Sequence, residues 1–316
     1  MASYLVTGGA GFIGSHLAEE LLRRGHRVRV VDNLSTGLRH NLDHIRSEVA
    51  FIEGDLADRA VARAAVAGVD YVLHQAALPS VPRSVEDPVG SHRANVDATV
   101  NVLAEARDAG VKRLVYAGSS SVYGDGPVLP KREDMLPRPL SPYALQKLVA
   151  EQYCQMFTKL YDFETVAIRY FNVFGPRQNP ASPYSGVISL FFAAILDGRQ
   201  PTIYGDGEQT RDFTYVTNVV DGVLLACEAP QAAGEIINVA TGGRTSLNEL
   251  LETMNRLAGT RVQPVYLAPR AGDVRDSQAD ISKAQGLLGY TPSTPFEEGL
   301  SKTLAWCKAA ATGPQA

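Results

Sequence analysis

A set of three glycines near the start of the chain constrains the fold more than any other feature of the sequence. The segment TGGAGFIG at 7–14 places them at 8, 11 and 14, after a short apolar run at 4–6 and before an amphipathic stretch at 12–24. Glycines between a strand and a helix allow a tight turn and a close approach to a pyrophosphate, which the free amides of the helix then face. The spacing is GxxGxxG rather than GxGxxG, but the strand–turn–helix context is the one a dinucleotide-binding loop requires.

Short apolar runs alternate with longer amphipathic stretches through the first half of the chain. Runs with strand character occur at 4–6, 28–31, 49–52, 71–73, 113–116 and 165–169, and stretches with helix character at 12–24, 93–108 and 142–161. This alternation is typical of a parallel sheet whose right-handed crossovers cover both faces. We predict an α/β fold, a Rossmann-like doubly wound parallel sheet with a second, smaller α/β substrate-binding lobe. Its ligand crevice should lie at the carboxyl ends of the strands.

Proline and glycine residues interrupt the alternation after Asn172, and a chain of 316 residues is long enough for two packed lobes. We expect residues 1–171 plus 213–240 to form the dinucleotide-binding domain. Residues 172–212 plus 241–316 should form the smaller lobe.

Charge and cysteine usage narrow the function classes. The net charge is −4, from 30 Lys plus Arg against 34 Asp plus Glu, and both signs are scattered, which favours neither nucleic acid nor an anionic membrane. The three cysteines are far apart and form no CxxC motif, and the six histidines have no metal-ligand spacing. The longest apolar stretch, 187–196, is too short to cross a bilayer. We expect a cytoplasmic protein in a reducing compartment, without a bound metal.

Asp32 ends the second predicted strand, 18 residues after Gly14. A carboxylate at this position can accept hydrogen bonds from both hydroxyls of an adenosine ribose, and it repels a 2′-phosphate. The sequence therefore favours NAD over NADP. Asp55, after the third predicted strand, is placed to contact the adenine, with an ordinary helix cap as the alternative.

Tyr143 and Lys147 are four residues apart, so they project from one face of a helix, one turn apart. Ser141 and Pro142 predict where that helix begins. A phenol with a pKa near 10 is a poor base at neutral pH, and lowering it by about three units costs ~4 kcal/mol. An ammonium ~4 Å away contributes a similar amount at an effective dielectric of ~20, and a nicotinamide cation would add to it. With Ser119 at the end of the preceding strand, the pair can form a phenolate base.

These motifs together resemble the extended short-chain dehydrogenase/reductase family, and within it the nucleotide-sugar 4-epimerases. The resemblance covers nearly the whole chain. The matching elements are TGGAGFIG at 7–14, Asp32, Asp55-Leu56, HQAA at 74–77, Asn95, SSSVYG at 119–124, YxxxK at 143–147, RYFNVFGPRQ at 169–178, IYGDGEQTRDF at 203–213 and PRAGDVRDSQAD at 269–280.

The resemblance implies a catalytic group of Ser119, Tyr143 and Lys147. Tyr143 is expected to remove the proton of the sugar's 4-hydroxyl, directly or through Ser119, while hydride passes from C4 to NAD. Lys147 is expected to lower the phenol's pKa and to hold the nicotinamide ribose. The bound 4-keto sugar then turns its other face and takes the hydride back, with no net redox change.

The same resemblance implies further contacts. Those with NAD are Gly8, Gly11, Phe12, Ile13, Gly14, Asp32, Asn33, Asp55, Leu56, Ala76, Ala77, Asn95, Tyr143, Lys147 and Tyr170. Those with a UDP-sugar are Ser80, Arg83, Ser120, Asn172, Val187, Tyr204, Arg211, Arg270, Asp273 and Ser277. Pairing of the helices near 93–108 and 142–161 would form a homodimer.

Ser277 is the most informative residue for specificity, because related epimerases restricted to plain hexoses carry a tyrosine at its position. A small side chain leaves room for a 2-acetamido group, and SVPRS at 80–84 resembles epimerases that accept N-acetylated sugars. We predict 4-epimerisation of UDP-GlcNAc/UDP-GalNAc, with UDP-Glc/UDP-Gal as a further pair. The alternatives are a UDP-glucuronate 4-epimerase or decarboxylase, a 4,6-dehydratase, and a non-catalytic dinucleotide sensor. Dehydration is disfavoured because Ser120 and Ser121 stand where dehydratases carry an acidic pair.

Overall fold

The computed structural model describes residues 1–179, 186–269 and 274–312. The strands are β1 (Ser3–Thr7), β2 (Arg27–Asp32), β3 (Val49–Glu53), β4 (Tyr71–His74), β5 (Arg113–Ser119), β6 (Glu164–Tyr170), β7 (Val173–Phe174), β8 (Thr202–Tyr204), β9 (Thr210–Arg211), β10 (Thr214–Tyr215), β11 (Ile236–Val239), β12 (Thr245–Ser246) and β13 (Val265–Leu267). The helices are α1 (Phe12–Arg23), α2 (Arg59–Val66), α3 (Val81–Glu86), α4 (Pro88–His92), α5 (Ala98–Asp108), α6 (Pro142–Tyr161), α7 (Val187–Leu196), α8 (Val216–Glu228), α9 (Leu247–Ala258), α10 (Ser282–Leu288) and α11 (Phe296–Thr312).

Seven parallel strands form the central sheet in the order β11-β6-β5-β4-β1-β2-β3. The chain adds β2 and β3 on one side of β1, then crosses over to continue with β4 on the other side. A ligand crevice is expected where the strand order reverses, outside the carboxyl ends of β1 and β4. The predicted α/β, Rossmann-like fold is confirmed.

Alternate side chains of the strands fill two apolar layers, one on each face of the sheet. Val6 and Val30 pack on one face with residues of α1 and α8, including Leu17 and Val219. The opposite face carries Leu5, Val31 and Val72, which pack with residues of α2, α5 and α6. The near-continuous apolar character of β1 and β2 therefore reflects burial from both sides.

The predicted helix at 93–108 begins earlier than expected. Helical structure already starts with α4, because the Asp87 side chain accepts a hydrogen bond from the Gly90 amide at 2.9 Å. A π-helical turn, Arg93–Asp97, then joins α4 to α5. The helix predicted at 142–161 coincides with α6.

A separate apolar core, which includes Phe191 and Leu250, packs residues of α7, α9 and α11 together. Short two-stranded pairs accompany it: β10 with β7, β12 with β9, and β13 with β8. Ala284 of α10 packs instead with α8 on the sheet core, as does Tyr290. The two-lobe division stays a proposal, and the 282–290 segment of the assigned smaller lobe contacts the core of the sheet.

No helix within the described ranges combines the length and the apolar character needed to span a membrane. The same ranges contain no group of three or more His, Cys, Asp or Glu side chains that could bind a metal ion. Cys154, Cys227 and Cys307 are not in disulfide bonds.

Candidate active site

A cavity of about 1030 Å³ lies at the carboxyl ends of the central strands. Residues that follow β1 to β6 form one part of its wall, and another part is formed by Gly186, Leu190, Arg211, Val274, Asp276 and Ser277. The cavity therefore occupies the crevice predicted from the strand order.

The glycine loop can carry no side chain at two of its positions. Gly8 has a φ of +63°, and a Cβ there would lie 2.8 Å from the backbone of Ala76. A Cβ on Gly14 would lie 2.2 Å from the Gly8 carbonyl oxygen. Helix α1 starts from Gly11 without a side-chain cap, and Phe12 and Ile13 line the cavity. This helix N-terminus is suited to an anionic group such as a pyrophosphate.

Asp32 ends β2 and is almost entirely buried. Its carboxylate accepts hydrogen bonds from the amides of Ala10 at 3.0 Å and Leu34 at 2.8 Å. Burial raises the pKa of Asp32, and the two backbone bonds act against that rise. A Cβ on Gly37 would lie 2.8 Å from both carboxylate oxygens, so glycine leaves room beside the acid. Two ribose hydroxyls can donate to such a carboxylate.

Gln75 provides an independent sign that a polar ligand fits here. Its Oε1 accepts a hydrogen bond from the Tyr170 hydroxyl at 2.9 Å, but its buried Nε2 has no hydrogen-bond partner among the residues that the structure describes. Both residues line the cavity. An unpaired buried amide is costly, and a ligand acceptor at this point would satisfy it. Together with Asp32 and the glycine loop, these residues fit a dinucleotide.

Helix α6 carries the Tyr/Lys pair, and its first turn is fixed from two sides. The Ser141 hydroxyl accepts from the Ala144 amide at 3.2 Å, and the Ser84 hydroxyl accepts from the Tyr143 amide at 3.0 Å. Both Tyr143 and Lys147 line the cavity. The helix start predicted from Ser141 and Pro142 is confirmed.

Lys147 is buried, and its ammonium donates to the Ala117 carbonyl at 2.8 Å. The Nζ atom lies 5.0 Å from the ring centroid of Tyr116 and 5.9 Å from that of Tyr143. Burial lowers the pKa of Lys147 to about 8, so the ammonium form still prevails at pH 7. With one bond to a carbonyl, it has donors left for a ligand hydroxyl.

The phenol of Tyr143 is held in its neutral form. Burial raises the pKa of Tyr143 to about 12, and the neighbouring Ser119 hydroxyl acts in the opposite direction. The sequence-based expectation of a lowered pKa through Lys147 is not met in the protein alone, because the loss of solvent outweighs the attraction of an ammonium at this distance. Forming the phenolate therefore requires further positive charge near the ring.

Ser119 ends β5 and is oriented by its neighbour. The Ser119 oxygen accepts hydrogen bonds from the amide of Ser121 at 3.2 Å and from its hydroxyl at 2.9 Å. Because both of these bonds are accepted, the Ser119 proton can be donated towards the cavity. Ser119, Ser120 and Ser121 all line the cavity.

His74 is a neutral imidazole whose hydrogen bonds connect elements of the site. The Thr7 hydroxyl bonds to Nδ1 at 2.7 Å and the Thr99 hydroxyl to Nε2 at 3.0 Å. Burial lowers the pKa of His74 to about 3. Because Thr99 donates its own proton to the Asn95 carbonyl, His74 must donate through Nε2 and accept at Nδ1. These bonds join β1, β4 and α5 below the glycine loop.

Most of the predicted site residues line this one cavity. They are Gly8, Gly11, Phe12, Ile13, Gly14, Asp32, Asn33, Asp55, Leu56, Ala76, Ala77, Ser80, Arg83, Ser119, Ser120, Tyr143, Lys147, Tyr170, Asn172, Arg211 and Ser277.

Three predicted contacts lie behind or beside the cavity wall. Asn95 is buried, and its side chain accepts from the Leu78 amide at 2.7 Å and donates to Gln146 at 2.8 Å, so it supports the wall. Val187 begins α7, and Tyr204 ends β8; neither is in the lining. Arg270 and Asp273 lie outside the described residues.

The sequence interpretation missed Gln75 and Lys131 as cavity residues. Gln75 had a usable signal, because it follows β4 directly within the HQAA motif. Lys131 had none, since a lysine in a loop rich in proline and charge is usually exposed. It is buried beside residues far away in sequence, among them Ala279, with which it forms a β-bridge.

Residues 4–240 match the model of the NAD dependent epimerase/dehydratase family. The UDP-glucose 4-epimerase of Mycolicibacterium smegmatis is 40% identical over 309 residues, covering 95% of this chain and 96% of that protein. A UDP-N-acetyl-α-D-glucosaminuronate decarboxylase of Bacillus cytotoxicus is 34% identical over 313 residues, covering 96% of each. The structure of the UDP-N-acetylglucosamine 4-epimerase from Methanobrevibacter ruminantium M1 in complex with UDP-N-acetylmuramic acid matches with a TM-score of 0.94 and 39% identity, covering 98% of this chain and 99% of that one.

Proposed function

Because the chain belongs to the NAD-dependent epimerase/dehydratase family, we propose that it interconverts the C4 epimers of a UDP-hexose through a transient 4-keto sugar. The proposed substrates are UDP-GlcNAc and UDP-GalNAc, with UDP-Glc and UDP-Gal as a further pair. The observation that carries the proposal is one cavity lined by the glycine loop, Asp32, Ser119, Tyr143 and Lys147.

The catalytic residues act on the proton of the sugar's 4-hydroxyl. Tyr143 accepts it, directly or through Ser119, and returns it after the sugar has turned. Bound NAD would supply a reversible hydride acceptor for C4 and, in its oxidised form, a positive charge that would favour the Tyr143 phenolate. Lys147, protonated at neutral pH, adds to that charge and donates to the cofactor's ribose. Asp32 accepts the adenosine ribose hydroxyls.

The second part of the cavity wall supplies contacts for the rest of the substrate. Arg211 lines it, and a guanidinium suits a diphosphate through its planar set of donors. Asn172, which follows β6, also lines the cavity. The Ser277 amide donates to the Thr210 carbonyl at 3.0 Å, which fixes the position of a short side chain at the wall. This small side chain supports acceptance of a 2-acetamido group.

A homodimer is part of the proposal. Helix α6 leaves Leu145, Met156 and Leu160 about half exposed, at 51%, 48% and 61%, and they lie on one helical face. Val89 of α4, a helix that contacts α6, is exposed as well. A second copy of the chain would cover this apolar stripe. We also propose a cytoplasmic location, supported by the three cysteines without disulfide bonds.

The test uses purified protein without added cofactor, incubated separately with UDP-Glc, UDP-GlcNAc and UDP-GlcA, followed by separation of the products. We expect each accepted sugar to reach an equilibrium between its two C4 epimers, with UDP-GlcNAc and UDP-GalNAc as the main pair. A released keto sugar, loss of water or loss of CO₂ would contradict the epimerase proposal. NAD bound to the protein but no turnover of any sugar would indicate a dinucleotide sensor.

A further inference from the structure

Lys131 is a buried lysine in the wall of the active-site cavity. It is 4% exposed, whereas lysine side chains are almost never fully buried unless they are paired. It lines the same cavity as Ser119, Tyr143 and Ser277. The catalytic steps proposed above do not use it.

The Lys131 backbone is held firmly. Its amide donates to the Gln278 carbonyl at 2.8 Å, and its carbonyl accepts from the Asp280 amide at 2.9 Å. The Asn238 side chain donates to the same carbonyl at 2.9 Å. These bonds fix Lys131 beside the segment that begins with Ser277, which we assign to the sugar.

The ammonium of Lys131 forms no close ion pair with the described part of the chain. Its Nζ donates to the Gly126 carbonyl, and within the described ranges no carboxylate lies within 4.0 Å of it. The Asp125 carboxylate is exposed and attracts the Lys131 ammonium only through a longer-range electrostatic interaction. Burial lowers the pKa of Lys131, as expected for an incompletely paired cation. An ammonium has three donors, and a carbonyl occupies one of them.

The acids near Lys131 already have other partners. Glu133 accepts from the Asn238 amide at 2.8 Å, and Asp280 accepts from the Ser282 amide at 2.8 Å. Asp276 accepts from the Thr210 hydroxyl at 2.6 Å and also pairs with Arg244. A buried charge is costly without a partner, and because these described acids are engaged elsewhere, an anionic ligand in the cavity would lower that cost.

We propose that Lys131 is a specificity residue that binds a carboxylate on the sugar, so that acidic UDP-sugars are substrates in addition to the neutral pairs. This inference rests on the proposed function and extends its substrate class. A 2-acetamido uronic acid would use both the space beside Ser277 and the charge of Lys131. The substrate's diphosphate is the alternative anion for Lys131, and the test distinguishes it from a carboxylate on the sugar.

The test compares the wild type with Lys131→Met, Lys131→Arg and the control Lys302→Met, whose side chain is exposed on α11. KM is measured for two matched pairs: UDP-GlcA with UDP-Glc, and UDP-GlcNAcA with UDP-GlcNAc. We expect Lys131→Met to raise KM for the acidic sugars by about tenfold or more, the size of one lost hydrogen bond to a charged group. KM for the neutral sugars and the inhibition constant of UDP should change less than about twofold, in line with a contact the neutral ligands do not make. Lys131→Arg should recover part of the loss.

Equal loss on acidic and neutral sugars, or weaker inhibition by UDP, would place Lys131 at the diphosphate and overturn the inference. No effect on the acidic sugars would overturn it as well. Thermal melting and NAD content establish that each variant is folded. If the wild type turns over none of the four sugars, the proposed function fails, and calorimetric binding of UDP-GlcA and UDP-Glc to the same variants still decides the role of Lys131. Loss of CO₂ from an acidic sugar would contradict epimerisation but not this contact.

Discussion

Tyr143 is a phenol that the protein alone keeps protonated, with a pKa near 12. It nevertheless lies in the cavity between Ser119 and Lys147, where a bound cation would favour its ionised form. The proposed reaction therefore requires the Tyr143 oxygen in both its protonated and its ionised form. Its position could be predicted from a local spacing of four residues. The charge balance around it could not, because burial arises from elements distant in sequence.

Tyr143→Phe removes the proposed base and leaves the ring in place. We expect folded protein with its NAD retained and kcat lower by more than about a hundredfold, which is the lower end of the range for general-base catalysis. Tyr161→Phe, at the exposed end of the same helix, is the control. Near-normal turnover by Tyr143→Phe would remove the residue from its role.

Ser277→Tyr tests the space for a 2-substituent. A phenol at this position of the wall should fill the room for an acetamido group, so we expect lower kcat/KM for UDP-GlcNAc with UDP-Glc turnover largely kept. Ser277→Ala, which stays small, should preserve both activities. Equal loss on both sugars in the tyrosine variant would count against this assignment.

At the scale of elements, α1 is joined to the loop after β7 by a cluster of polar contacts. The His16 imidazole donates to the Pro176 carbonyl at 3.0 Å. Arg177 of the same loop forms an ion pair with Glu19 on α1. The cluster ties the glycine-loop helix to the chain that enters the proposed smaller lobe.

His16 makes this junction sensitive to pH. Burial lowers its pKa from 6.5 to about 4, so the native state binds fewer protons than the unfolded state between those values. The stability that depends on neutral His16 is therefore present above about pH 6.5 and is lost as pH falls towards 4. His16→Gln keeps a donor for Pro176, and we expect its melting temperature to decline less steeply over this window, although His74 still contributes. Identical pH profiles for the two proteins would refute the role of His16.

The helices and strands of the sheet could be predicted because their signals are local. Alternation of apolar runs located β1 to β6, and Ser141 and Pro142 located the start of α6. The early start at α4 was missed, because it depends on the Asp87 cap rather than on apolar periodicity. Lys131 was missed for a different reason: its surroundings come from segments that only the fold brings together.

For the whole molecule, the exposed stripe on α6 predicts association. Met156→Glu places a charge in its centre, and we expect it to convert a dimer to a monomer at micromolar concentration, measured by light scattering. Leu136→Glu, at an exposed leucine of the loop before α6, is the control. A monomeric wild type would contradict the dimer.

The central claim is that this chain inverts C4 of a nucleotide sugar by removing the hydrogen atom on C4 and returning the same atom, without exchange with the solvent. UDP-GlcNAc carrying deuterium at C4, incubated with the purified protein in ordinary water without added cofactor, tests this most directly. The account predicts that the 4-epimer forms and keeps its deuterium, as read by mass spectrometry and proton NMR. An epimer that carries hydrogen from the solvent at C4 would contradict it.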